Sequence, residues 1–478
     1  MCSSLTRNLS SQVPAFLAPR LTSGSSENAR RGIVAPHPTP VTATVTATPT
    51  GVPSQIAPGS RDSVGDGSRR AGDAADARAI PVNPFDASAT TARLAAAFPT
   101  LVFDRGVHVH PGPGIVQELL EATRRARAAR ARPRGGVPLV LGDASYLLMG
   151  AAGAGADAEV FEAERVDEAD VVMADADADT DSDATEEDKR GGFAIKVQSA
   201  RLAAWEWIVS GRLNDRLSAW DAPAVVQPLA LHLVGGDDAR TANVGVVVMP
   251  FGEHGTLQDV LNSYLRVGKH MDETLVMYYA VELLRLVENV HAAGVLHADV
   301  KPDNLLVRNG GDDWCDWAAH RPGSWKQKGL ALIDLGRAVD LAEFPPDAVF
   351  VGDVNTEGFR CAEMIEGRPW TFQCDAHQVA ATVHALLYGR YMTVDRRGDG
   401  YRQREPLRRY WRTDLWEAFF STLLNVPTRA IHDPPPLGNL RRLFEARLTS
   451  ERLGGRLRLG LMRQTIDMYE QIREGKAA

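Results

Sequence analysis

The sequence predicts an α+β protein of two lobes, a small strand-rich one followed by a larger helical one, behind a disordered tail. Three observations predict it. Apolar residues fall in short β-like runs up to about residue 250 and take helical spacing after Gly255. The 478 residues are 44% hydrophobic and 24% charged, ordinary values for a globular protein, and at roughly 150 residues per domain the length allows about three domains. Residues 1–82 hold Phe16 as their single aromatic and are otherwise rich in Ser, Thr, Pro, Ala and Gly, so they cannot bury enough surface to offset their chain entropy.

That tail has one acid before Asp62 (Glu27) and scattered arginines, a weak likeness to an organelle transit peptide, with a plain disordered tail as the preferred reading. Folded material is expected from Asn83-Pro84-Phe85, with an extension over 83–136 that contains a helix at Gly114–Ala131. The small lobe is expected over 137–252, with strands at Val137–Leu141, Glu159–Ala163, Phe193–Gln198 and Val244–Met249. An acidic insertion interrupts it at 164–190. Residues 157–188 carry a net charge of −14 and the rest of the chain +6, so this block is read as a solvated loop, with docking of basic partners as the alternative. The large lobe, 253–478, is expected to place helices at Thr256–Leu265, Asp272–Ala293, Asp375–Tyr388, Asp414–Leu424 and Gly438–Glu474, and strands at Leu305–Arg308 and Leu330–Asp334.

Composition excludes several classes. The net charge of −8 makes no global case for nucleic-acid binding, and no run of about 18 apolar residues offers a membrane span. The four cysteines, Cys2, Cys315, Cys361 and Cys374, show no metal-type spacing and suit a reducing compartment.

The strongest chemical signal is His297-Ala298-Asp299-Val300-Lys301-Pro302-Asp303-Asn304, followed thirty residues later by Leu332-Ile333-Asp334-Leu335-Gly336. An Asp, a Lys and an Asn at spacings of two and five, ahead of a strand ending in Asp, suit phosphoryl transfer. That reaction needs an orienting base at a hydroxyl, a cation at the γ-phosphate and oxygen ligands for Mg²⁺. The segment resembles the catalytic loop and metal-binding motif of eukaryotic protein kinases.

That resemblance implies a protein-kinase fold, ATP and Mg²⁺ as cofactors, and roles for residues along the chain. Asp299 would be the catalytic base, Lys301 the γ-phosphate cation, and Asn304 and Asp334 the metal ligands. Phe193-Ala194-Ile195-Lys196-Val197 is similar to the strand whose lysine holds the α- and β-phosphates, and Glu206, the one glutamate between Lys196 and Glu253, would be its ion-pair partner. Gly153-Ala-Gly155-Ala-Asp157-Ala158-Glu-Val160 resembles the glycine-rich loop over the nucleotide, with two departures: Ala158 in place of the third glycine, and Asp157 where an aromatic often caps the phosphates. Met249, Pro250 and Gly252 would form the hinge that holds adenine. Thr356, Glu357 and Glu363 fall in a segment similar to the substrate-docking loop and its closing motif, and Asp375 would brace the catalytic loop from the next helix.

Lys301-Pro302 favours serine/threonine specificity. A finer resemblance is to the mitotic spindle-checkpoint kinases of the Bub (budding uninhibited by benzimidazole) family. It is carried by Leu330–Asp340, Thr356-Glu-Gly-Phe359, Cys361-Ala-Glu-Met364, Gly367-Arg-Pro-Trp370, Val379–Val383, Leu387–Met392 and Asn83-Pro-Phe-Asp86. It implies phosphorylation of a protein substrate such as a histone 2A tail, partners among checkpoint and kinetochore proteins, and a nuclear, kinetochore location in mitosis. No sequence-specific nucleic-acid contact is expected, and the basic turns of Arg441–Arg458 are read as a solvated face. The helical-repeat domain usual in that family finds no counterpart in residues 1–82. The competing reading is a catalytically silent scaffold. Ala298 stands where many phosphorylation-controlled kinases have a phosphate-binding arginine, so activity is expected without activation-loop phosphorylation, with Phe359, Met364 and Trp370 ordering the segment.

Overall fold

The computed structural model describes residues 80–101, 104–128, 136–155, 157–166, 192–236, 242–252, 254–311, 315–354, 358–449 and 454–464. The tail up to residue 79, the acidic block from 167 on, Thr356 and Glu357 lie outside the described residues.

The first element among the described residues is strand β1 (Ile80–Val82), three residues ahead of the expected boundary at 83. Helix α1 (Ala87–Leu101) follows, capped by Asp86, whose carboxylate accepts from the backbone of Ser88 and Ala89. Its Ala/Thr-rich sequence with an internal Pro99 carries little periodicity, and the sequence pattern gives no helix there. Strand β2 (Val107–His110) and helix α2 (Pro113–Ala128) complete the extension.

Next come β3 (Val137–Leu141), β4 (Ala144–Ala154), β5 (Ala158–Val166), β6 (Phe193–Ser199), helix α3 (Ala200–Arg216), β7 (Ala230–Val234) and β8 (Val244–Pro250). A seven-stranded sheet runs in the order β2-β7-β8-β6-β5-β4-β3, antiparallel except for the β2–β7 pair. Thus β2 of the extension is built into the small-lobe sheet. Strand β5 reaches Val166, with Glu164, Arg165 and Val166 paired to Leu147, Tyr146 and Ser145, so the acidic insertion starts after 166 and not at 164. One face of the sheet packs under α2 around Leu119, Leu139, Leu148 and Phe161; the other meets α3 through Leu231, Leu233 and Val247. That alternation is the period of two expected of a sheet covered on both sides.

The large lobe is built on α4 (Leu257–Arg266) and α5 (Glu273–Ala292), then β9 (Val295–Leu296), β10 (Leu305–Asn309), β11 (Lys328–Leu332), β12 (Val339–Asp340) and β13 (Ala348–Phe350). Strands β10 and β11 pair, β12 returns to β9, and β13 pairs in parallel with β1. Strand β11 ends at Leu332, so Asp334 sits just beyond it rather than on it. After α6 (Ala362–Ile365) comes α7 (Gln373–Tyr388), buried at every position but Tyr388. A helix buried on all sides belongs in a core; two of the polar residues it carries, Asp375 and Gln378, hold the loop of the functional site. A hairpin, β14 (Val394–Arg397) and β15 (Gly400–Gln403), precedes α8 (Thr413–Leu423) and α9 (Leu437–Leu448). Of the long helix expected over Gly438–Glu474, α9 is capped at Thr449 and helix is present again over 454–464, while 450–453 and 465–474 lie outside the described residues. Among the described residues no helix is long and apolar enough to cross a membrane.

Candidate active site

The loop between β9 and β10 carries His297 to Asn304, and α7 holds it from below. Asp375, with no exposed surface, accepts from the backbone N–H of His297 (2.9 Å) and of Ala298 (2.8 Å) and bonds His291 Nε2 (2.9 Å). One turn on, Gln378 accepts from Val300 N–H (2.8 Å) and donates to the Ala298 carbonyl (3.0 Å). Ala298 has φ +61°, a left-handed conformation that costs a residue with a Cβ roughly 1–2 kcal/mol. Both its peptide groups are therefore fixed by α7, which is how a strained backbone persists at one conformation.

His297 completes the frame. Its Nε2 faces the Ile333 carbonyl (3.0 Å) and its Nδ1 accepts from Asp299 N–H (3.2 Å), which sets the proton on Nε2. Asp299 is buried, its side chain 7% exposed. It takes Lys301 Nζ at 2.7 Å and Asn304 Nδ2 at 2.9 Å, while the same Nδ2 reaches the Asp299 carbonyl at 2.9 Å. Because Nδ2 makes both bonds, Asn304 keeps Oδ1 as an oxygen donor.

On the other side of the cleft Lys196, on β6, donates to Glu206 on α3 (2.8 Å) and to Asp334 (2.7 Å). Burial pulls the Lys196 ammonium down, but the two carboxylates outweigh it and its pKa is raised. Burial also dominates at Glu206, whose pKa is raised against the pull of Lys196. Asp334 shows the opposite balance: burial works upward, but Lys196 holds the carboxyl down to about 2. Asp334 has φ +66° and starts the single 3-10 turn Leu335–Arg337; 38% of its side chain is open to the cleft.

The glycine-rich segment is the tip of the β4–β5 hairpin. Gly153 pairs with Val160, Val160 with Lys196, and Gly155 N–H closes the turn on the Ala158 carbonyl at 2.8 Å. A Cβ at Gly153 would meet nothing within 4 Å, so these small residues leave open space under the tip. Asp157 is paired with Arg337 at 3.1 Å.

At the connector, Met249 lies opposite Ala194 and is buried, Phe251 N–H bonds the Gly192 carbonyl at 2.9 Å, and Pro250 is exposed. A Cβ at Gly252 would approach the Leu306 methyl groups to 2.8 Å, so a larger residue here would have to shift that side chain. Pro250 has no N–H and can offer only its carbonyl, leaving Gly252 as the donor of the pair.

Glu363 is buried in α6, with Arg368 at 3.5 Å. The expected trio divides between two clusters. Phe359 packs on Tyr391 in the main core, whereas Met364 and Trp370 join Phe350, Cys361 and Phe372 in a second one, against which Phe85 of the extension also packs.

Several residues of the site escape a reading of the sequence. Gln198 donates to Glu206 at 2.7 Å; it stands two positions beyond Lys196 on the same strand face, a period-two signal. His291, Gln378, Arg212, Arg216 and Asp340 meet partners far away in the chain and leave no local pattern.

Residues 237–418 match the protein kinase domain family. Over 380 residues the chain is 33% identical to the mitotic checkpoint serine/threonine-protein kinase BUB1 of Arabidopsis thaliana, covering 77% of this chain and 65% of that protein. Over 253 residues it is 33% identical to the mouse protein of the same name, covering 52% of this chain and 22% of that one. Over 267 residues it is 27% identical to the spindle assembly checkpoint kinase BUB1 of Saccharomyces cerevisiae, covering 53% of this chain and 25% of the yeast protein. The chain thus spans less than two thirds of the length of each of these relatives. A crystal structure of the BubR1 kinase domain superposes with a TM-score of 0.63 at 23% identity, over 81% of this chain and all of that one, a likeness of fold. The chain therefore has the protein-kinase fold, with residues 237–418 similar to the protein kinase domain. Within the protein kinases it resembles the mitotic checkpoint kinases of the Bub family.

Proposed function

We propose that this chain is a Mg-ATP-dependent protein serine/threonine kinase acting in the spindle checkpoint. The observation that carries the proposal is the unbroken chain Glu206–Lys196–Asp334, assembled across the cleft from an Asp299 held by Lys301 and Asn304. ATP would lie between Lys196 and the β4–β5 hairpin, with adenine at Pro250 and Gly252 and its ring on Met249.

The donors suit Mg²⁺. Asn304 Oδ1 and the Asp334 carboxylate are hard oxygen ligands, and among the described residues no cluster of three or more His, Cys, Asp or Glu forms a protein cage. Mg²⁺ is usually held by one or two such groups together with substrate phosphates. When bound it neutralises charge on the phosphate oxygens. Asp299 accepts the hydroxyl proton of the substrate serine or threonine as the new oxygen–phosphorus bond forms. The bond to the β-phosphate oxygen breaks, ADP leaves, and the proton passes to solvent. Lys301 stands beside the same carboxylate as the cation for the transferred group.

The likeness to relatives named as mitotic checkpoint kinases supports a protein substrate and checkpoint proteins as partners; the first candidate substrate is a histone 2A tail and the proposed place is the kinetochore in the nucleus. A direct DNA contact gains no support from the basic turns. Arg441 is paired with Glu288 and Glu445, Arg456 with Asp272 and Arg458 with Asp316. The test is to incubate the purified chain with Mg-ATP and intact histone 2A and map phosphate by mass spectrometry. Phosphate on a serine or threonine of the tail is expected. A chain that binds ATP but phosphorylates neither this nor a generic protein substrate would be the silent scaffold.

A further inference from the structure

Asp157 sits at the hairpin tip, where a negative charge would face the phosphates of a nucleotide. Its partner Arg337 ends the single turn that starts at Asp334, so both acids lie at the same end of the cleft. Each has its own counter-charge: Lys196 for Asp334 and Arg337 for Asp157. Arg337 is in turn fixed by donating to the Val354 carbonyl at 2.7 Å, and both members of the outer pair are solvent-accessible, with side chains 33% and 53% exposed.

We infer that Arg337 is a positioning residue for nucleotide binding, acting through Asp157: it cancels a carboxylate that would otherwise repel the phosphates. The inference rests on the reading of the cleft as an ATP site. An exposed ion pair adds little to fold stability, so its use lies in the local field at the phosphates, where an uncompensated charge several ångströms from a polyanion is felt directly. The departure of the glycine-rich segment from its usual pattern at position 157 is then matched by a compensating arginine rather than being a loss of function.

The prediction is asymmetric. Arg337→Gln leaves Asp157 unpaired and should weaken binding of Mg²⁺ with a non-hydrolysable ATP analogue by about five-fold. Asp157→Asn leaves a free arginine near the phosphates and should leave the affinity unchanged or tighten it. The double variant Asp157→Asn/Arg337→Gln should return to within about two-fold of wild type, and Arg337→Lys, which keeps the charge, should stay near wild type. Isothermal titration of the full chain at low salt reads all four, with melting temperatures confirming that each is folded. Equal weakening by both single variants, or no change in either, would overturn the inference, because a purely mechanical tie treats its two ends alike. Failure of wild type itself to bind the nucleotide would instead bring down the reading of the cleft, and this inference with it.

Discussion

Arg216 grips Asp340 with both arms of its guanidinium, Nη1 to Oδ1 at 2.7 Å and Nη2 to Oδ2 at 3.0 Å, although the two residues lie 124 positions apart. Asp340 has no exposed surface, and Arg212 adds a third bond at 3.0 Å. Burial opposes the charge on Asp340, but the arginines and the Ala342 N–H prevail and its pKa is lowered. The bidentate pair fastens α3, which bears Glu206, to β12, which opens the segment running to Val354. Trp205 makes a second tie by donating to the Ala338 carbonyl at 2.8 Å. A fixed carboxylate thus sits between two arginines, the kind of setting in which a regulatory phosphate is recognised in switched proteins.

Asp340→Asn keeps the volume and removes the charge. It should lower the rate of phosphoryl transfer about ten-fold by loosening Glu206, at a cost of about 2 kcal/mol, less than for a fully buried pair because the arginines are partly solvated. Phosphatase-treated wild type should retain its activity within about two-fold. Steady-state rates of treated, untreated and variant protein check both; a large loss on phosphatase treatment would contradict a clamp that needs no phosphate.

Nucleotide handling separates the residues of the inner chain. Asp334→Ala or Asn304→Ala should remove most of the Mg²⁺-dependent part of ATP stabilisation, since a ten-fold loss of affinity is about 1.4 kcal/mol of linked stability at saturation. Lys196→Arg should still bind nucleotide but transfer phosphate poorly, because the larger planar head cannot occupy a site 5% exposed and made for a compact ammonium. Thermal-shift titrations with and without Mg²⁺, set beside rates, distinguish the two effects.

Residues 80–101 brace the segment 348–370. Val351 N–H bonds the Val82 carbonyl at 2.9 Å, and the Phe85 ring stacks on Trp370 with centroids 6.0 Å apart. Phe85→Ala should cost about 1 kcal/mol, given that the ring is half-buried, and should increase backbone hydrogen exchange at 348–354 before it does so in α5. Uniform protection in the variant would show that the extension merely rests on this region.

Stability should fall as pH drops below about 6.5. Burial holds His377 down to about 4 against its bond with the Gly358 backbone, and burial with the neighbouring His108 and His110 holds His232 down to about 3. Between the ordinary histidine value and these folded values the unfolded chain binds protons that the folded one does not, which destabilises the fold by up to about 1.4 kcal/mol per pH unit for each group. The lowered carboxyls Asp340 and Asp375 act only further down, as pH falls below the ordinary aspartate range toward their folded values. Melting temperatures from pH 7.5 to 5.0 should decline, and His377→Gln should flatten the decline. A curve with no slope in that window would contradict the account.

The catalytic loop and the Asp334 turn were legible because their chemistry is contiguous, and Lys196–Glu206 because one glutamate was available. Strand β4 was not: Ala151 to Ala154 has no β-branched residue, and its strand character comes from pairing with β5. β2 is four residues of alternating Val and His whose edge position is set by β7. The clamp on Asp340, the His291–Asp375 bond and the Asp157–Arg337 pair join residues 84 to 180 positions apart, and no window of sequence contains both partners.

The central claim is that Asp299 is the base of a phosphoryl-transfer site. Its most direct test is the transfer of the γ-phosphate of ATP to protein substrate by wild type and by Asp299→Asn, with ATP affinity measured on the same preparations. The account predicts transfer by wild type, a loss of at least about a hundred-fold in the variant, and nucleotide affinity within a few-fold of wild type. Near-normal transfer by a contaminant-free Asp299→Asn preparation would contradict it.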